Sequence, residues 1–98
     1  MKHEKFYNEL KTATLGNGNK IPFTFIQEQI EKAQIKYSQL TPNTRVCVMT
    51  METGHEVVGY ARVLDSSNDE ENIGNSVALE NATNELWVTY GSIAKLFI

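Results

Sequence analysis

Arg45-Val46-Cys47-Val48-Met49-Thr50-Met51-Glu52-Thr53-Gly54-His55-Glu56-Val57-Val58-Gly59-Tyr60-Ala61-Arg62-Val63-Leu64 is the stretch that decides the fold. Two apolar runs flank the short polar turn Glu52-Thr53-Gly54-His55. They predict antiparallel strands over about 44–52 and 55–64, with Gly54 supplying the positive-φ position of the turn. Successive strand side chains point to opposite faces. Val46 and Val48 therefore face one way, and Cys47, Met49 and Met51 the other. Both faces are apolar, and a two-stranded hairpin alone is barely stable in water. Something must cover each face. Gly59, inside the second strand, marks a bulge or a close backbone approach.

Upstream, Phe23, Ile26, Ile30, Ala33, Tyr37 and Leu40 recur at three or four residues, which predicts a helix over about 25–39 ended by Thr41-Pro42-Asn43. Thr24 and Gln27 fit a capping box at its start. Residues 2–13 are weakly helical, and Leu15-Gly16-Asn17-Gly18-Asn19 breaks the pattern. Residues 1–20 are thus expected as a loosely attached helix and turn on a single small domain of 98 residues. Downstream, Asp65-Ser66-Ser67-Asn68-Asp69-Glu70-Glu71 opens a second helix, capped by Ser67 or Asn68. Its inner face is Ile73, Val77, Ala78, Ala82 and Leu86, and Trp87 closes it as a large anchor. Tyr90-Gly91-Ser92 ends or kinks it, and Ile93–Ile98 forms a short apolar tail expected to dock. The predicted class is α+β: N-terminal helices, one hairpin and a C-terminal helix ending at the tryptophan. With so few helices to cover two apolar faces, a homo-oligomer is expected. Met49, Met51, Trp87 and Phe97 are its candidate interface or core anchors.

Composition narrows the function classes. Apolar residues make up 41% and net charge is −3, which argues against disorder. The single cysteine, Cys47, rules out a disulfide framework and reads as buried and inert. No apolar run is long enough to span a membrane and the first residues carry no signal-peptide core, so a soluble, cytoplasmic protein is expected. Residues 1–45 carry seven Lys/Arg and four Asp/Glu, and residues 46–98 carry two and eight. An acidic sum without a basic run disfavours nucleic-acid binding, while the asymmetry suits head-to-tail contacts.

No catalytic constellation emerges. Asp65, Ser67, Asp69 and Glu71 alternate as in a calcium loop, but Glu70 and Ser76 stand where glycine and glutamate belong. His3 and His55 lack further ligands at metal spacing, and neither is spaced to activate Cys47. No enzyme activity, metal or cofactor is expected. Tyr60 and Arg62 share a strand face, a pair able to stack a base and hold a phosphate. The plainer alternative for Arg62 is a salt bridge to Glu52 or Glu56.

Cys47, Gly54, Gly59, Asp65, Asn68, Ile73-Gly74, Ala78, Ala82, Leu86-Trp87 and Gly91 form an ordered set covering about half the chain. In this set the chain resembles a family of small phage proteins named after gene products of a coliphage and a Shigella phage. It departs from that pattern at Thr53-Gly54-His55, where the family has Asn-Gly-Phe, and at Tyr90-Gly91-Ser92, where an acidic residue before Gly-Tyr is usual. More loosely, it is similar to phage sponges that counter Thoeris and related immunity by binding cyclic ADP-ribose-type or cyclic nucleotide messengers between subunits. That resemblance implies a non-enzymatic homo-oligomer acting in the host cytoplasm. Arg62 would neutralise phosphate, Tyr60 or Tyr90 would stack a base, and Asn68 would read a base edge. Direct inhibition of a host protein through the acidic C-terminal half is the alternative, and a structural accessory without ligand is a third.

Overall fold

The computed structural model describes residues 3–63 and 70–98. Its sheet has three strands, not two. β1 (Gln34–Thr41), β2 (Thr44–Thr50) and β3 (Glu56–Arg62) follow one another as antiparallel neighbours in the order β1-β2-β3. β1 replaces the second half of the helix expected over 25–39. Ile30, Ala33, Tyr37 and Leu40 fit a helical spacing, yet Ile35 and Tyr37 alternate with Lys36 and Ser38 just as well. Pairing with Val46–Thr50 decides between the two periods, because it satisfies the free edge of β2. Thr41-Pro42-Asn43-Thr44 is therefore a hairpin connection, and the one register irregularity lies in β1 between Gln39 and Thr41. Gly59 causes no bulge, since β2 and β3 pair without a shift.

Helix α1 spans Glu4–Leu15 and α2 spans Phe23–Glu31. Pro22 occupies the N-cap of α2 in extended geometry and no side chain caps it, so the Thr24/Gln27 box does not form. α1 ends at the C-cap Gly16, and beyond it Gly18 and Asn19 both take positive φ (65°) in the connection to α2. α1 is docked: Leu10 is fully buried and Phe6 packs against the core.

Helix α3 runs from Glu71 to Ala94, continuing through Trp87 and Gly91 to a short 3₁₀ turn at Lys95–Phe97. Its buried residues fall every fourth position: Gly74, Ala78, Ala82, Leu86, Tyr90 and Ala94. A four-residue step overshoots a full turn by about 40°, so this stripe winds around the helix. Its first half meets the sheet at Cys47, Met49, Val57 and Ala61, and its second half meets α1 and α2. The ring of Tyr90 lies 5.0 Å from that of Phe6 and 6.4 Å from that of Phe25. Small residues are required where helix and sheet touch. A Cβ on Gly59 would overlap the Ala78 carbonyl oxygen and the Ala82 amide nitrogen and lie 2.9 Å from Ala82 Cα. All described helices share one core on the Cys47/Met49 face.

Candidate functional site

Among the described residues no helix packs on the opposite face of the sheet. The register brings Val46 beside Tyr60, Val48 beside Val58, Thr44 beside Arg62 and Thr50 beside Glu56. Strand parity puts all eight on the face turned away from α3. Two apolar rows, Val46–Tyr60 and Val48–Val58, thus form the middle. Polar rows close the ends, with Thr50 Oγ1 donating to Glu56 Oε2 at 3.1 Å at one of them. Val46 is 6% exposed and Tyr60 is 45% exposed. On the β1 side, Lys36 and Ser38 extend the same rows as polar flanks.

Arg62 and Tyr60 meet as the strand alternation predicts. The Arg62 guanidinium carbon sits 5.6 Å from the Tyr60 ring centroid, within cation–π range. Among the described residues neither acid proposed for Arg62 pairs with it: Glu56 accepts from Thr50, and Glu52 lies 4.0 Å from Lys32. Tyr60 is fixed from behind. Asn81 Nδ2 of α3 donates to the Tyr60 carbonyl oxygen at 2.6 Å. Sequence reasoning missed Asn81, because nothing local to a polar residue on an exposed helix flank signals a bond to a strand 21 residues away.

The other candidates separate. Tyr90 is 1% exposed and its ring is enclosed by Phe6 and Phe25, so it is a core residue and not a stacking platform for a base. The reason is that α3 does not end near Gly91, so position 90 continues the buried stripe. Burial pushes its phenol up to about 12, and its hydroxyl has no partner among the described residues. Met49 and Met51 are core, on the covered face. Trp87 and Phe97 are half-buried against that core, whereas Leu96 and Ile98 stay exposed. Asn68, with the Asp65–Asp69 loop, lies outside the described residues. Cys47 is buried, which raises its thiol pKa and suits an inert packing role. Among the described residues no three His, Cys, Asp or Glu side chains gather to hold a metal, and no helix is long and apolar enough to cross a membrane.

Residues 14–96 match the phage protein family described as N4 Gp49/phage Sf6 gene 66. No curated protein and no solved structure matches.

Proposed function

Because the chain belongs to that phage protein family, we propose that it is a non-enzymatic accessory protein that binds and sequesters a nucleotide second messenger of host immunity. The ligand is held at a subunit interface, in the host cytoplasm. The observation that supports this most directly is the open sheet face carrying the Arg62–Tyr60 pair. An apolar centre built from Val48, Val58 and Tyr60 suits burial against a second copy. A guanidinium already stacked on an aromatic ring offers a phosphate contact next to a surface for a base. Sequestration needs affinity and no reacting group.

Native mass spectrometry with cyclic nucleotides and cyclic ADP-ribose isomers tests the proposal. The expected species is an oligomer with bound ligand, and Arg62→Ala should lose the ligand while keeping the assembly. A tight ligand at a hundredfold excess over Kd adds about 2.7 kcal/mol of stability. A monomer that takes up none of the panel at micromolar concentration would overturn the proposal. The alternative, inhibition of a host protein through an acidic surface, has less support. Asp65 and Asp69 lie outside the described residues, and Glu80 and Glu85 lie about 140° apart around α3.

A further inference from the structure

A cavity of about 440 Å³ opens between the start of α1, the β2–β3 turn and the end of α3. It is distant in the fold from the Arg62–Tyr60 face, since it lies on the covered side of the sheet with Tyr90. Its walls are Phe6, Tyr7 and Ile93, with Thr53 and Thr89 at the polar positions. Both histidines of the chain, His3 and His55, also line it. In a protein with more acids than bases, no Asp or Glu among the described residues lines this cavity. Its volume falls in the range of about 300–1,000 Å³ that small-molecule sites occupy, and a mostly apolar wall with a few polar groups is their usual chemistry.

The polar groups favour an anion. His3 is the N-cap residue of α1 but makes no side-chain cap, so its ring is not engaged by the helix. The first turn of α1 carries the positive end of the helix dipole, with Glu4 in that turn, and the His3 side chain does not cap it. His55 stands on the turn opposite and is exposed. Only its backbone is engaged locally, through its N–H to Thr53 Oγ1 at 3.4 Å and its carbonyl to Met51 N–H at 2.8 Å. The apolar groups favour a flat ring. Phe6 and Tyr7 stand 5.7 Å apart between centroids. Behind them, Tyr90 is almost wholly buried, with a hydroxyl that lacks any partner among the described residues.

We propose that this cavity is a second binding site, contained within one subunit, for a planar aromatic ligand carrying one anionic group, of the size of a nucleoside monophosphate. The ring lies against Phe6 and Tyr7. The anion meets His3, His55 and the uncapped start of α1. The site does not depend on the interface reading, because none of its residues lies on the open face of the sheet.

The test is an NMR titration of the full chain with 5′-AMP, with adenosine and inorganic phosphate as parallel probes. The expected result is saturable shifts at the backbone amides of Gly54, His55, Thr89 and Ile93. His3→Ala/His55→Ala should weaken AMP at least about tenfold through lost donors to the charged group. Tyr7→Ala should weaken it at least about fivefold through lost stacking. Arg62→Ala should leave this titration unchanged, which separates the cavity from the open face. His55 is exposed and His3 is not buried, so the double variant should keep the wild-type melting temperature. Absence of shifts at these amides at ~1 mM AMP, the weak end of specific binding, would overturn the proposal. So would equal binding of adenosine, a loss of AMP binding in Arg62→Ala, or identical shifts with phosphate alone, which would show an adventitious ion only.

Discussion

Replacing Gly59 by alanine separates two physical effects by the sign of the result. Gly59 does not use a positive φ, which among glycines is taken by Gly18 and Gly54. On backbone entropy alone, Gly59→Ala would therefore stabilise the protein by about 0.4–1 kcal/mol. The packing predicts the opposite. The new methyl would overlap Ala78 O and Ala82 N and sit 2.9 Å from Ala82 Cα, all of them backbone atoms of α3. Ordinary carbon contacts need about 3.5–4.0 Å. The helix would have to lift by on the order of 1 Å along the segment that buries Ala78, Ala82 and Leu86. Forcing a methyl into a packed core costs about 1–3 kcal/mol and occasionally more. With no side chain able to swing aside, we expect about 3 kcal/mol or more here. For a domain of this size that is a fall in Tm of at least roughly 12 °C. It removes a large part of a total stability of about 5–15 kcal/mol. Thermal and urea unfolding followed by circular dichroism measure it. A variant as stable as the parent would refute the close-approach reasoning. Rescue by Ala82→Gly would refute the assignment of the clash to backbone atoms, since that change removes only a side chain.

Other expectations follow from particular groups. Tyr90→Phe deletes a buried, unpaired hydroxyl and should raise stability by about 1 kcal/mol, since such a group carries an uncompensated desolvation cost; a drop in Tm would reveal a partner for it. The phenol of Tyr90 is raised from 10.0 to about 12 in the fold. The folded state therefore holds its proton where the unfolded chain loses it, so this contribution is complete below pH 10 and is lost as pH climbs from 10 to 12. Alkaline titration should show that loss in the parent and a smaller one in Tyr90→Phe. Cys47 should stay unreactive toward a thiol reagent in native buffer and react at the rate of global opening, and rapid native labelling would contradict its burial. Leu86→Ala, at the point where the α3 stripe passes from sheet to helices, should cost about 2–5 kcal/mol, checked by chemical denaturation.

Much of the scaffold was readable from residue order because two signals were unambiguous. Val46–Met51 and Val57–Ala61 alternate around a glycine turn, and Ala78, Ala82 and Leu86 repeat every fourth position. The Tyr60–Arg62 juxtaposition followed from strand parity alone. β1 was not readable, because Gln34–Thr41 is half polar and its few apolar residues satisfy periods of two and of 3.6 alike. Only the vacant edge of β2 chooses between them, and that is a tertiary fact. The burial of Tyr90 depended on whether α3 stopped near Gly91, and a lone glycine does not fix a helix end. The cavity holding His3 and His55 could not be seen at all, since three segments far apart in the chain converge on it.

The nearness along the chain of the elements that pack most intimately bears on the order of assembly. β1, β2 and β3 are consecutive hairpin partners, and the strand holding Gly59 is separated from the start of α3 by a single short connection. The close approach of Gly59 to Ala78 and Ala82 therefore closes only a small loop. By contrast, Phe6 reaches Tyr90 across nearly the whole chain. A topology of mostly local contacts folds quickly, with distant segments joining after the local ones. Residues 34–94 would thus condense as a sheet-and-helix nucleus, and α1 would lock on last. Substitutions at Ala82 would then slow refolding, while substitutions at Leu10 would chiefly hasten unfolding.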